Sequence, residues 1–315
     1  MTKQVLVTRR VPASATAVLH QVAEVDVANA GLTHAALCQR IEGKSALMCL
    51  MLDRIDKAVL DAAGPSLKII ANIAVGYDNI DVNAALSRGV AVTNTPDVVT
   101  GATAEFTLAL ILTISRRVAE GDRLVRRGDW KGWALDFMVG SELLGKQLGI
   151  VGAGRIGRAV ASRAAAVGMR SVFHDETAQD PQSPLRFVTL DELLATSDVV
   201  SLHVPLNAAT RHLIDRKALA RMKRSAYLIN TSRGSVVDEE ALVWALGEHL
   251  IAGAALDVYE NEPQVHPKLL TLENVVLSPH LGSATFETRT AMAELAARNV
   301  VAVLNGQPPL TPVLK

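Results

Sequence analysis

Six consecutive residues, Gly152-Ala153-Gly154-Arg155-Ile156-Gly157, carry the spacing G-x-G-x-x-G, which suits the cradling of a pyrophosphate. Glycines at this spacing also occur in ordinary turns, so the pattern counts only in context. Here it follows the β run Gln147-Leu148-Gly149-Ile150-Val151 and opens a helical stretch, Arg155 to Val167, that Gly168 ends. Gly152 then permits the tight turn, Gly154 lets backbone approach phosphate, and Gly157 allows close helix–strand packing. The helix start adds unpaired N–H groups and a positive dipole end. Asp175, at the end of the next β run, is placed to accept hydrogen bonds from the adenine-ribose hydroxyls and to repel a 2′-phosphate. Glu176 adds to that repulsion. NAD(H) is favoured as cofactor, and NADP(H) stays open through Arg170 and His174.

Three later segments could do chemistry: Asn230-Thr231-Ser232-Arg233-Gly234, Asp257-Val258-Tyr259-Glu260-Asn261-Glu262-Pro263, and Ser278-Pro279-His280-Leu281-Gly282. Each begins at the C-terminal end of an expected strand, where open α/β sheets place their ligands. Taken singly, the Arg reads as a surface cation, the Glu-Pro as a turn and the Pro-His as a loop. Together they bring a guanidinium, a carboxylate and an imidazole to the sheet edge that would hold the nicotinamide.

The elements that must position these groups alternate short β-branched runs with Ala/Leu-rich helical stretches, the pattern of parallel α/β sheets. In the first third, Val5–Thr8, Ala46–Leu50, Lys68–Asn72 and Val90–Thr93 read as strands, with helices near Ser14–Val22 and Thr33–Ile41. Asn94-Thr95-Pro96-Asp97 breaks the pattern. A long helix follows from about Gly101 to Arg117, then a polar and aromatic loop, GDWKGWALDF. The second series continues with strands at 171–174, 199–203, 226–230, 254–258 and 275–278. A last helix, Thr285 to Leu304, is expected to return to the first unit. The expected fold is α/β, two doubly wound Rossmann-like domains. A cofactor domain, 98–286, is inserted into a discontinuous substrate domain, 1–97 plus 287–315.

Bulk properties narrow the partners. The 315 residues suffice for two domains, and 49% of them are hydrophobic. Lys plus Arg (32) equal Asp plus Glu (32), a neutral mixed surface that argues against nucleic acid or anionic membrane. The N-terminus meets charge again by Arg9, too soon for a signal-peptide core. No segment approaches the roughly 18 uninterrupted apolar residues of a membrane helix. A cytoplasmic protein is expected. Cys38 and Cys49, in apolar surroundings, read as buried free thiols rather than a disulfide, and no metal site is expected.

Along essentially its whole length the chain resembles the D-isomer-specific 2-hydroxyacid dehydrogenases, especially the glyoxylate/hydroxypyruvate reductase branch. The likeness rests on Val75-Gly76-Tyr77-Asp78-Asn79-Ile80-Asp81, the Asn94-Thr95-Pro96 crossing, the glycine fingerprint, and the Arg, Glu and His segments in family order. The resemblance implies that Arg233 pairs with a substrate carboxylate and polarises the keto oxygen, a task suited to a planar permanent cation. It implies that His280 donates a proton to that oxygen, or accepts it in reverse. Glu262 would orient the imidazole and stabilise its protonated form. Asp257 would meet the nicotinamide side of the cofactor. Thr103, Arg155, Ile156, His203-Val204-Pro205, Thr231, Ser232 and Gly282 are further implied cofactor contacts. Backbone amides of Val75 and Gly76, with the Leu52-Asp53 loop nearby, would grip the substrate carboxylate. Trp130 and Trp133 resemble aromatics that this branch sends from one subunit toward its neighbour's active site, which implies a homodimer. The stretch Ala134-Leu135-Asp136 departs from the branch by lacking a proline.

The resemblance therefore implies reduction of a small 2-keto acid, glyoxylate or hydroxypyruvate, to its 2-hydroxy acid. A dinucleotide-sensing regulator on the same scaffold is the rival from another class; the chain shows no extended tails for partner motifs, which favours the enzyme. Lactate-type dehydrogenases stay open, because a small pocket discriminates by few contacts. A phosphoglycerate-type enzyme would be expected to carry an added regulatory domain, and a formate dehydrogenase a longer N-terminal region.

Overall fold

Mostly buried β runs of three to five residues joined by helices build two parallel sheets. The computed structural model describes residues 3–176 and 184–314. The chain divides into two units, Met1–Val99 with Ala284–Lys315, and Thr100–Ser283.

The first unit runs β1 (Gln4–Val7), α1 (Ala13–Leu19), β2 (Glu24–Val27), α2 (His34–Arg40), β3 (Ala46–Cys49), α3 (Lys57–Ala63), β4 (Ile69–Asn72), α4 (Val82–Ser87) and β5 (Ala91–Thr93). Its sheet has the order β2-β1-β3-β4-β5, all parallel. β3 and β4 are buried at every position because helices cover both faces, so they read as unbroken apolar runs. Strand β2 is an addition to the expected set. Its sequence, Glu-Val-Asp-Val, sits half-exposed at the sheet edge, and an edge strand needs no apolar run. Side-chain caps set the helix starts: Thr33 accepts from the Ala36 amide, Asp56 from Ala58 and Val59, and Asp81 from Ala84. Cys49 is buried as expected, whereas Cys38 is only half-buried; both are free thiols.

The second unit runs α5 (Thr100–Ser115), α6 (Val118–Arg126), β6 (Gln147–Val151), α7 (Arg155–Ala166), β7 (Arg170–His174), α8 (Leu190–Thr196), β8 (Val199–Leu202), α9 (Arg216–Arg221), β9 (Tyr227–Asn230), α10 (Glu239–Gly247), β10 (Gly253–Leu256) and β11 (Val275–Leu277). Helix α5 stops two residues earlier than the sequence suggests, because Arg117 adopts a left-handed φ of 52°. A second helix, α6, then fills the stretch between that helix and the GDWKGWALDF loop, to which the sequence reading gives no element. It is charged rather than apolar, laced by Arg117–Glu120 at 2.7 Å and Arg126–Asp122 at 2.8 Å.

The second sheet has the order β11-β10-β9-β8-β6-β7. Outside β7 the backbone adds one parallel bridge, Phe173 to Phe187, with Phe173 N donating to Arg186 O and Val188 N to Phe173 O. That bridge stands where a doubly wound dinucleotide sheet has its third strand. One face of the sheet packs Leu148, Ile150 and Phe173 under α5 and α7; the other packs Val200, Leu228 and Leu256 under α8, α9 and α10. Strand order reverses between β6 and β8, a switch point that opens a crevice at their C-terminal ends. The last helix, α11 (Phe286–Leu304), capped by Thr285, belongs to the first unit and packs on α1, β3 and β4.

Candidate active site

At the switch point Gly152 has a φ of 103°, and a Cβ there would strike the His203 carbonyl oxygen at 2.5 Å. Only glycine fits both constraints. A Cβ on Gly157 would collide with the Gly152 carbonyl, which is how the start of α7 lies so close to β6. In front of Gly154, by contrast, a Cβ would meet nothing within 4 Å. That open space faces the first turn of a twelve-residue helix whose N-cap has no side chain to satisfy its amides. Such a cradle fits a pyrophosphate. Asp175 Oδ2 accepts from the Ala153 amide at 2.7 Å, so the β7 carboxylate is tied to the fingerprint turn itself. Arg155 is exposed and Ile156 half-buried at the same helix start.

His203 donates its amide to Val151 O at 2.7 Å, and its Nε2 lies 2.9 Å from Ser201 Oγ. Burial pushes this imidazole down to about 3, so it is neutral across the physiological range. Val204 is half-buried, and Pro205 is exposed, its carbonyl accepting from Thr210 Oγ1 at 2.6 Å. Those contacts give Pro205 a loop-shaping task.

Strand β9 ends at Asn230, whose buried side chain folds the next three residues. Its Oδ1 accepts from Ser232 N at 3.0 Å and from Ser232 Oγ at 2.9 Å; its Nδ2 donates to Arg233 O at 2.9 Å. The hydroxyl of Thr231 meets Thr107 Oγ1 at 3.0 Å, and Thr107 donates to Thr103 O on α5. Asn230 thus sets the exit angle of Arg233, whose own Nη1 donates to Ser232 O.

Strand β10 delivers Asp257, which is 0% exposed. Burial pushes its carboxyl up, although Leu281 N, Ser278 Oγ and Gly282 N all donate to it and His280 is close. Past Asp257 the chain turns at Tyr259 to Glu262, and the Glu262-Pro263 peptide is cis. Glu262 Oε1 accepts from Tyr259 N at 3.0 Å, and Oε2 lies 2.9 Å from His280 Nδ1. Burial alone would raise Glu262, but the hydrogen bond and charge of His280, the Tyr259 amide and the Arg233 cation hold its carboxyl below the usual range. An ionised carboxylate only accepts, so Nδ1 carries the proton and the opposite ring nitrogen, Nε2, is the one turned away from Glu262. His280 itself has a left-handed φ of 55°.

Arg233, Glu262 and His280 therefore come together in the second unit. Asp257 and Gly282 join them through the His280 loop, and Thr103 lies beside Gly282. Trp133 stands elsewhere, on a loop after α6. It is 81% exposed and Leu135 86%, far too open for core positions.

In the first unit the implied substrate-binding segments form their own organised edge. The carbonyls of Ala74, Val75 and Gly76 accept from Thr95 N, Asn94 Nδ2 and Asn72 Nδ2, each at 2.8 Å. Because a trans peptide points its C=O and N–H in opposite directions, the amides of Val75, Gly76 and Tyr77 are turned the other way. Exposed Leu52 is held next to buried Asp53, which accepts from Thr8 Oγ1 and Leu50 N, while Asn79 Nδ2 donates to the Leu50 and Asp53 carbonyls.

Sequence reasoning passed over Asn230, Asn72 and Asp53 as site builders. The available signal was a polar residue at the end of, or just after, an otherwise apolar strand: Tyr227-Leu228-Ile229-Asn230 and Ile69-Ile70-Ala71-Asn72.

The model of the D-isomer specific 2-hydroxyacid dehydrogenase NAD binding domain matches residues 108–282. The chain is 51% identical over 280 residues to the glyoxylate reductase of Thermofilum pendens, covering 87% of this chain and 82% of the relative. Among solved structures, a protein from Thermus thermophilus superposes with a TM-score of 0.93 at 47% identity, over 99% of this chain and 100% of that one. An NADPH-dependent glyoxylate/hydroxypyruvate reductase from Sinorhizobium meliloti, solved with NADP and malonate, gives 0.90 at 34% identity, over 99% and 97%.

Proposed function

The chain belongs to the D-isomer-specific 2-hydroxyacid dehydrogenases, oxidoreductases acting on 2-hydroxy acids, and we propose that it reduces glyoxylate or hydroxypyruvate with NADH. The observation that carries this reading is the 2.9 Å contact of His280 Nδ1 with Glu262, beside the Arg233 cation at the C-terminal sheet edge. A bound dihydronicotinamide supplies the hydride to the carbonyl carbon. His280 Nε2 gives its proton to the keto oxygen as that oxygen gains charge, and Glu262 stabilises the imidazolium beforehand. Arg233 binds the substrate carboxylate and stabilises the developing alkoxide. Val75 and Gly76, together with the Leu52 loop, are kept in this reading as substrate-binding residues of the first unit.

Gly152, Gly154 and Gly157 with the first turn of α7 would hold the pyrophosphate, and Asp175 the adenine ribose. Thr103, Arg155, Ile156, His203, Val204, Pro205, Thr231, Ser232, Asp257 and Gly282 line the remaining cofactor path in this reading. Asp175 favours NADH, although the Sinorhizobium meliloti relative is NADPH-dependent. The exposed Trp133 loop suits a homodimer in which each subunit lends the tryptophan to its neighbour. Among the described residues no helix is long and apolar enough to cross a membrane; a cytoplasmic location is carried over from the sequence reading as part of this proposal. The deciding experiment is steady-state oxidation of NADH and NADPH with glyoxylate, hydroxypyruvate and pyruvate. Turnover of none of the three keto acids ends the enzymatic reading; a strong NADPH preference ends the cofactor assignment.

A further inference from the structure

Glu239, the first residue of α10, is 6% exposed and has no role in the chemistry above. Its Oε1 accepts from the Glu260 amide at 2.7 Å. The preceding amide, Tyr259 N, donates to Glu262. Two adjacent amides of one turn are thus held by two different carboxylates, one from outside the turn and one from within it.

The Tyr259–Glu260 peptide is gripped from the other side as well. A Cβ on Gly234 would collide with the Tyr259 carbonyl group, so the backbone just after Arg233 lies directly against that peptide. Tyr259 Oη donates to Ser278 O at 2.9 Å, two residues before His280. The Glu260 side chain is anchored outward by His212 Nε2 at 2.7 Å and Arg211 at 3.1 Å. Tyr259 therefore touches the supports of all three groups: its carbonyl lies against Gly234, its amide donates to Glu262 and its hydroxyl to Ser278 O.

A buried carboxylate is costly unless it is hydrogen-bonded. Burial pushes Glu239 up; the Glu260 amide and His266 oppose this, while the Glu260 and Glu262 carboxylates add to it. A side chain kept under such conditions, with its oxygen on one particular amide, has a positioning task.

We propose that Glu239 is a positioning residue for the hydride-transfer reaction: by holding the Glu260 amide it fixes the 259–262 turn, and through it the Glu262–His280 pair. The inference rests on the catalytic reading of His280. What matters is reach rather than charge. Gln keeps an acceptor oxygen at the same length; Asp keeps the charge and falls one methylene short.

The test compares E239D and E239Q with wild type in glyoxylate reduction, with NADH affinity read by fluorescence and folding by thermal midpoint. E239D should lose roughly tenfold in kcat, as small displacements of catalytic groups do, with NADH affinity and glyoxylate KM within about twofold. E239Q should retain kcat within about threefold. Equal kcat in E239D and wild type, parallel losses in both variants, or a loss confined to KM or NADH binding would each overturn the proposal. His280→Ala run alongside separates the two levels: if it leaves turnover intact, the catalytic reading itself fails, whereas an inactive His280→Ala with an unaffected E239D removes only Glu239.

Discussion

The amide of His280 donates to the carbonyl oxygen of Asp257 at 2.9 Å, while the Asp257 carboxylate receives the amides of Leu281 and Gly282. One buried residue at the end of β10 therefore clamps both sides of the imidazole-bearing loop, and it does so across 23 positions of sequence, from 257 to 280. Asp257→Ala keeps the backbone carbonyl that holds His280 N but takes the acceptor from the Leu281 and Gly282 amides and the Ser278 hydroxyl, at about 1–3 kcal/mol for each buried group left unsatisfied. The variant should lower both the unfolding midpoint and kcat. A stable variant with normal kcat would detach Asp257 from the site.

His280→Ala removes the group assigned to the proton. Turnover of glyoxylate should fall by about 10²–10⁴, while NADH binding followed by fluorescence persists. Near-normal turnover would take His280 out of the mechanism.

Glu262 makes pH a probe of its pair with His280. Its carboxyl is held below the usual value of about 4.3 in the folded chain. A depressed folded value contributes stability that is present above the unfolded value and is lost as pH falls through the folded one. Glu262→Gln should therefore be less stable than wild type near neutrality, and the gap in urea midpoint should close only in acid below the ordinary carboxylate range. A gap that does not change with pH would show that the Glu262 charge contributes nothing.

Asp175 serves the ribose in the proposed cofactor site and also holds Ala153 N. Asp175→Asn keeps an acceptor oxygen for that amide and removes the charge. The ratio of kcat/KM for NADH over NADPH should drop by about tenfold or more. An unchanged ratio would place cofactor selection on other residues.

The open aromatic loop after α6 gives a prediction about assembly. Trp133→Ala should weaken self-association in sedimentation, or raise the KM for the keto acid if the ring reaches a neighbour's site. A variant matching wild type in both would leave the loop without either task.

The local pieces of this protein are legible along the chain. The fingerprint turn, the α7 start and the buried central strands follow from glycine spacing, helix signals and apolar runs, because the forces that select them act within a few residues. Arg233, Glu262 and His280 are legible through their segments. What reading along the chain misses is set by neighbours distant in sequence. Strand β2 has no apolar run because its edge position does not demand one, and α6 hides its helical character behind charged pairs. The tasks of Asn230, Asp257 and Glu239 exist only because β9 and β10 end near the start of α10, where a buried polar side chain must find its partner across the fold. Sequence alone determined which chemical groups the sheet edges carry. Tertiary structure decided which amides hold them in place, since hydrogen bonding in a buried site depends on distance in space rather than on distance along the chain.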